Sequence, residues 1–224
     1  MPMSLRQLSA LSMLACTLSI PGVTSAADLS VGGHIRMDGA CSIALGNGGV
    51  VDLGTLTSTE LSPPNATDYM VFKGREMSLM INCPHPTKVS VTAEDNRRGT
   101  VSDGYFDWNA FGLGNPAIGF YIIKIDKTSP KADGRDAFVI GYSPHVSAWI
   151  SAGDRTSLHP GETISWGVDG TPPPPERWWE REPVAFKALT STLVISIGLT
   201  VRKDVGVGDG MELDGSMTLE LGYL

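Results

Sequence analysis

The chain has 224 residues, of which 42% are hydrophobic and 18% are charged, and its formal net charge at pH 7 is −7. A chain of this size can bury the core of one ordinary domain. The acidic balance argues against a nucleic acid or an anionic membrane surface as the partner, because both attract a positively charged face.

Residues 1–26 predict a signal peptide that is removed on export. Arg6 supplies one positive charge, a short apolar stretch follows, and small residues end the segment at Ala26. Because Pro21 and several serines interrupt the stretch, it is a poor membrane-spanning helix. Lipidation at Cys16 is the alternative. Cleavage after Ala26 leaves 198 residues and removes one arginine, so the net charge becomes −8.

The exported chain keeps two cysteines, Cys41 and Cys83. Two cysteines in an oxidising compartment predict one disulfide, and two free buried thiols are the weaker alternative. By the loop-entropy estimate, a bridge across a loop of this length stabilises the fold by about 4 kcal/mol.

Alternating apolar residues predict a series of short strands with almost no helical periodicity. Turn signals separate them at Asp133-Gly134, Asp169-Gly170 and Asp209-Gly210. This pattern predicts an all-β sandwich. In chain order, the predicted strands are residues 29–37, 50–56, 77–83, 89–93, 117–125, 137–142, 193–201 and 211–223.

Two aromatic stretches separate some of these strands, FDWNAFGLGNP at residues 106–116 and TPPPPERWWEREP at residues 171–183. Trp108, Trp178 and Trp179 are candidates for stacking on a ligand, since tryptophan offers a large contact area at low entropy cost. The alternative is favoured: these aromatics cover an edge or fill an end of the sandwich.

The last segment, GSMTLELGYL, alternates without a break. Counted back to Met211, the odd positions are apolar or glycine and the intervening ones are mostly polar. Such a strand would be about 43 Å long at ~3.3 Å per residue. No lysine or proline blunts its edge, and an unprotected edge is a template for pairing. The pattern therefore predicts that another chain supplies a missing strand.

The N-terminal segment ADLSVGGHIRM, residues 27–37, offers a matching part. Its apolar face carries Leu29, Val31, Gly33, Ile35 and Met37. Two interpretations stay open. The segment pairs with another domain, or it forms the first strand of its own domain.

These motifs together resemble the pilin subunits of chaperone–usher fimbriae. ADLSVGGHIRMDGACSI resembles a donor extension that runs into the first cysteine, and VVDLGTL and MSLMINC resemble the two strands that follow it. The end of the chain resembles the pilin C-terminal motif, with Gly210, alternating apolar residues and a penultimate tyrosine. The stretch CPHPTKVSVTAEDNRRGT is similar to an uncharacterised fimbrial-like family of proteobacterial exported proteins.

The resemblance implies an incomplete immunoglobulin-like sandwich at residues 38–224, preceded by a donor-strand extension at residues 27–37. It also implies assembly into a surface fimbrium that supports cell adhesion. The implied partners are a periplasmic chaperone, an outer-membrane usher and neighbouring subunits, with a surface glycan left open. The implied donor residues are Leu29, Val31, Gly33, Ile35 and Met37, and the implied acceptor-groove and chaperone-contact residues are Gly210, Met217, Leu219, Leu221, Tyr223 and Leu224.

No pattern in the sequence predicts catalysis, a metal or a cofactor. The four histidines lack a metal-ligand spacing, and no G-x-S-x-G nucleophile motif occurs. Glu180 and Glu182 flank the tryptophan pair, but a solvated loop explains them as well as a glycosidase site does. The alternative to a fimbrial subunit is a self-contained secreted sugar-binding module. A stable isolated monomer distinguishes that module from an open sandwich.

Overall fold

A computed structural model describes residues 39–54, 61–62, 69–102, 109–151, 156–170, 177, 179–200 and 212–224. In these ranges there is a short 3-10 turn at Gly46–Gly49 but no α-helix, and no helix is long and apolar enough to cross a bilayer. The strands are β1 (Ser42–Leu45), β2 (Leu61–Ser62), β3 (Tyr69–Thr87), β4 (Val89–Asp95), β5 (Phe111–Gly112), β6 (Gly119–Ile125), β7 (Lys131–Ala132), β8 (Arg135–Asp136), β9 (Phe138–Ser143), β10 (Ala148–Ser151), β11 (Ser157–Leu158), β12 (Thr163–Gly167), β13 (Phe186–Thr200) and β14 (Met217–Tyr223).

The strands form two antiparallel sheets. The first sheet has the order β1-β3-β13-β6-β11, with the short strands β2, β5, β7 and β8 attached to it. The second sheet has the order β10-β9-β12-β4-β14. One core cluster draws residues from both sheets, so the sheets face each other as a sandwich. The prediction of an all-β sandwich is confirmed at this level.

The core lies between the long central strands of the two sheets. Leu79 and Ile81 of β3 and Leu193 of β13 are at most 1% exposed, as are Val89 and Val91 of β4. Their spacing of two residues places them on one face of each strand. Burial of each such side chain stabilises the fold by roughly 1.5–3 kcal/mol.

Most of the predicted strands are present. The turn predicted at Asp133-Gly134 is also present, with φ values of 49° and 79°. The first predicted strand, at residues 29–37, lies outside the described residues, as do the signal peptide and the predicted turn at Asp209-Gly210. The predicted strands at residues 77–83, 89–93, 117–125, 137–142 and 193–201 overlap β3, β4, β6, β9 and β13, and residue 201 lies outside the described residues.

The strand predicted in VVDLGTL is wrong over residues 50–54, which pair with no strand in the described part of the chain. The carboxylate of Asp52 accepts a hydrogen bond of 2.8 Å from the Gly54 amide, and Gly54 has a φ of +58°. This local turn replaces the ladder of a strand. The alternation still has a function, because Val51 and Leu53 pack against the core.

The last strand is shorter than predicted. It begins at Met217, and residues 212–216 approach it as irregular chain, while Met211 and Gly210 lie outside the described residues. The guanidinium of Arg97 binds the side chain of Asp214 through two hydrogen bonds of 3.0 Å and holds this approach. A hydrogen bond from the Asp214 amide to the Leu113 carbonyl, 3.2 Å long, takes the place of strand pairing there.

The predicted disulfide between Cys41 and Cys83 is present. β1 pairs with β3 so that Ser42 lies opposite Asn82. The next residues along the two chains, Cys41 and Cys83, are therefore opposite each other. The bridge therefore fixes the start of β1 to a central strand of the sheet.

Candidate functional site

β14 lies at one edge of the second sheet. Among the described strands it pairs with β4 alone, with Leu219 opposite Ala93 and Leu221 opposite Val91. Residues opposite each other share a face, so both leucines point toward the core. Ala93 and Val91 are at most 1% exposed, whereas both leucines are only half-buried. The contrast shows that the core is thinly covered along this edge.

β1 repeats the pattern at the edge of the first sheet. Ile43 lies opposite Ile81, and Leu45 lies opposite Leu79. The β3 residues are at most 1% exposed, while Ile43 and Leu45 are half-buried. Both edge strands, β1 and β14, thus carry apolar side chains that contact the core on one side and are uncovered on the other.

The two edges face each other along the same side of the sandwich. At one end, the Cys41 amide donates a hydrogen bond of 2.7 Å to the Tyr223 hydroxyl, which joins β1 to β14 directly. At the other end, Leu45 and Met217 line one cavity. The space between β1 and β14 is therefore a groove with apolar walls, and we refer to it as the edge groove.

The cavity at the Met217 end of the edge groove has a volume of about 330 Å³. Its floor is formed by core residues of the first sheet, among them Met77, Ile123 and Ile195, and its rim by Val51 and Leu53 on one side and Leu213 and Met217 on the other. A space of this size and lining accepts apolar side chains.

Tyr121 forms part of the same cavity. Burial is the main cause that raises the pKa of its hydroxyl, and the nearby carboxylate of Asp95 raises that pKa further. The phenol is therefore neutral at physiological pH. A Cβ atom on Gly215 would lie 2.9 Å from Cε1 of Tyr121, so a glycine is needed for the chain to pass this ring closely.

A polar cluster fixes the chain just before β14. Arg97 forms a bidentate pair with Asp214, and this carboxylate raises the pKa of the guanidinium. The amide of the Asn96 side chain donates hydrogen bonds of 3.1 Å to Ser216 and Thr218. Because the side chains of Arg97 and Asp214 are 38% and 59% exposed, water screens the pair and it adds little stability, but its fork geometry sets the position of the last strand.

The structure brings only part of the predicted site together. Met217, Leu219 and Leu221 form one wall of the edge groove, and Tyr223 and Leu224, at 55% and 53% exposure, end it. The predicted donor residues 29–37 lie outside the described residues, as do Gly210, Trp108 and Trp178. Trp179 is described and is 38% exposed.

The opposite wall was not predicted from the sequence. Ile43 and Leu45 belong to a strand of four residues, which is too short to give a convincing alternation. The cysteine just before them was the available signal, because a disulfide places the residues that follow it beside the partner strand. Trp149, which lies on β10 at the other edge of the second sheet, gave no signal beyond its residue type.

The described residues contain no group of three or more histidine, cysteine, aspartate or glutamate side chains placed to hold a metal ion. The edge groove offers apolar side chains and strand backbone, which are groups that can bind an extended chain.

Comparisons with known proteins relate the chain to proteins of unclear function. Residues 29–123 match the model of a family described as "Protein of unknown function (DUF1120)". The chain is similar to Protein GltF of Escherichia coli (strain K12), with 29% identity over 218 residues that cover 83% of this chain and 84% of the relative. It is also similar to Uncharacterized protein YhcF of Escherichia coli (strain K12), with 25% identity over 227 residues that cover 83% and 85%. The matched range of the family model includes β1 but not β14, so it includes one wall of the edge groove.

Proposed function

We propose that this protein is a structural subunit of a surface fimbria, assembled through the chaperone–usher pathway by donor-strand exchange. The observation that carries the proposal is the edge groove. Leu219 and Leu221 of β14 are half-buried beside fully buried partners in β4. A strand inserted beside β14 pairs with its outer edge and covers these leucines at the same time.

The free energy available from such a strand is large. The half-buried apolar side chains of the groove include Ile43 and Leu45 on one wall and Met217, Leu219 and Leu221 on the other. Burial of one such side chain from full exposure stabilises by roughly 1.5–3 kcal/mol, so covering a half-buried one adds about half of that, and each new backbone hydrogen bond adds about 0.5–1.5 kcal/mol. Covering several together compares with the total stability of a domain, about 5–15 kcal/mol.

The proposed occupant in the fimbria is residues 27–37 of a neighbouring subunit. This segment alternates, with Leu29, Val31, Gly33, Ile35 and Met37 on its apolar face. During export a periplasmic chaperone lends a strand to the groove, and at the outer-membrane usher the neighbour's extension replaces it. The proposed role is structural and non-enzymatic, at the cell surface.

The test is co-expression of the full chain with its cognate chaperone, followed by pull-down from the periplasm. We expect Leu219→Asp and Leu221→Asp to abolish capture of the chaperone, because each places a charge where an apolar pocket must close.

Glu220→Ala is the matched control, since Glu220 lies between the two leucines, is exposed and points away from the core. Thr218 is a poorer control, because its hydroxyl bonds with Asn96. Equal capture of the leucine variants and of Glu220→Ala contradicts the proposal. A soluble monomer that unfolds cooperatively without chaperone or added strand favours the secreted sugar-binding module instead.

A further inference from the structure

The edge of the second sheet opposite β14 carries an aromatic patch, which we define as Tyr142, Trp149, Trp179 and Arg181. Tyr142 and Trp149 lie opposite each other on β9 and β10, and their ring centroids are 5.4 Å apart in an edge-to-face contact. Tyr142 is 42% exposed and Trp179 is 38% exposed.

Backbone pairing brings the rest of the patch to β10. The Arg181 amide donates a hydrogen bond of 2.9 Å to the Trp149 carbonyl, and the Ser151 amide donates one of 3.4 Å to the Trp179 carbonyl. These two bonds lie on either side of the antiparallel bridge between Ile150 and Glu180. Arg181 therefore lies opposite Trp149, and Trp179 lies opposite Ser151. Opposite residues share a face, and so do alternate residues of one strand. The four side chains of the patch therefore belong to one face.

This face is turned away from the core. Ile164 points into the core beside Val91, and it lies opposite Gly141 of β9. Tyr142 is the next residue of β9, so its side chain lies on the other face of the sheet. The aromatic patch is thus part of the outer surface and does not fill the sandwich.

We propose that the aromatic patch binds a neutral oligosaccharide. A pyranose ring has apolar C–H faces that stack on aromatic rings, and hydroxyl groups around its rim that need hydrogen-bond partners. Tyr142, Trp149 and Trp179 supply rings with polar edges, and Arg181 supplies a planar set of donors beside them. Arg181 is already oriented, since Nη1 donates a hydrogen bond of 2.7 Å to the Glu180 carbonyl.

The area of the patch favours a sugar over a protein partner. It spans three neighbouring chain segments and two rows of side chains, which makes it about 10 Å across. A stable protein interface buries about 800 Å² on each partner, far more than this patch offers, whereas one or two sugar rings match it.

Local charge favours a neutral sugar over an anionic one. Arg177 and Glu180 form an ion pair of 2.9 Å next to the patch, and Glu182 follows Arg181 in the chain. Glu182 in turn forms an ion pair of 3.7 Å with Lys88, so both carboxylates are paired and Arg181 leaves one net positive charge at the patch. One such charge on a chain whose formal net charge is −7 gives little attraction for a polyanion. Because β10 and β14 are at opposite edges of the second sheet, this binding does not depend on the function proposed for the edge groove.

The test is native affinity electrophoresis of the full exported chain, with a peptide of residues 27–37 added to fill the edge groove, in gels that contain dextran, galactomannan or mixed-linkage β-glucan, with chondroitin sulfate as the anionic comparison. We expect at least one neutral polysaccharide to retard the protein. We expect Trp179→Ala and Tyr142→Ala to weaken that binding about tenfold or more, because each removes a stacking ring. Both residues are partly exposed, so these variants should fold.

Met80→Ala is the matched control, since Met80 is 39% exposed on the first sheet, far from the aromatic patch in strand order. It should keep the retardation of the unmodified chain, and thermal unfolding of every variant checks the fold. The proposal is overturned by no retardation in any neutral gel, by retardation with chondroitin sulfate alone, or by unchanged retardation of folded Trp179→Ala and Tyr142→Ala.

Discussion

Tyr223 is the residue that ties the two sheets together at one end of the edge groove. Its hydroxyl accepts a hydrogen bond of 2.7 Å from the Cys41 amide, although Tyr223 is 55% exposed. The contact joins residues 182 positions apart, so no local pattern in the sequence predicts it. A strand that enters the groove must end before this side chain or displace it.

Tyr223→Phe removes the hydroxyl and leaves the ring. We expect the free energy of unfolding to fall by about 0.5–1.5 kcal/mol, the net contribution of one hydrogen bond. Urea unfolding of the purified protein with an added peptide of residues 27–37, followed by far-ultraviolet circular dichroism, measures the change. Tyr142→Phe is the control, because that tyrosine lies in the aromatic patch. An equal midpoint for Tyr223→Phe and the unmodified protein would show that the contact does not hold the groove end.

At the scale of single elements, the sequence predicted strands whose inward residues alternate over several positions, such as Leu193, Ile195 and Ile197 of β13. It predicted one groove wall for the same reason, since Leu219 and Leu221 alternate with polar residues. It missed β1, β10 and β12, which have four or five residues each and too few alternations. The sequence also did not predict the order of the strands in the sheets, because a pairing such as that of β14 with β4 depends on contacts between residues distant in the chain.

The disulfide between Cys41 and Cys83 acts on a single element, because it fixes the short strand β1 to β3. We expect the double change Cys41→Ser and Cys83→Ser to lower the free energy of unfolding by roughly 2–5 kcal/mol. Because β1 forms one wall of the edge groove, capture of the chaperone should fall as well. Urea unfolding in the presence of the peptide of residues 27–37 and periplasmic pull-down measure the two effects, with Ala44→Ser, a change at an exposed residue of β1, as the control. Wild-type stability in the double variant would show that strand pairing alone holds β1.

At the scale of the whole molecule, the chain divides into the units Met1–Arg36 and Met37–Leu224, and all described residues belong to the second. The predicted boundaries, with a signal peptide at residues 1–26, an extension at residues 27–37 and a domain at residues 38–224, stay predictions. The alternating segment before the first cysteine allowed an extension to be predicted from the sequence. The sequence does not show which domain that extension pairs with.

Deletion of residues 27–36 distinguishes the two interpretations of the extension. If it serves a neighbour, the shortened chain should still bind its chaperone, because the edge groove is complete, but it should not enter a polymer. Periplasmic pull-down measures the first property, and electron microscopy of surface fibres the second. A shortened chain that unfolds or loses its chaperone would show that the segment is its own domain's first strand.

The position of the disulfide has a mechanical consequence for a fibre of the proposed kind. Tension transmitted along residues 27–37 would enter the domain at Cys41. There the covalent bond to Cys83 passes the load directly to β3, which pairs over almost its whole length with β13. The load would thus not break the hydrogen bonds of the four-residue strand β1 one after another. It would instead act parallel to the strands, in shear, on the long pairing between β3 and β13.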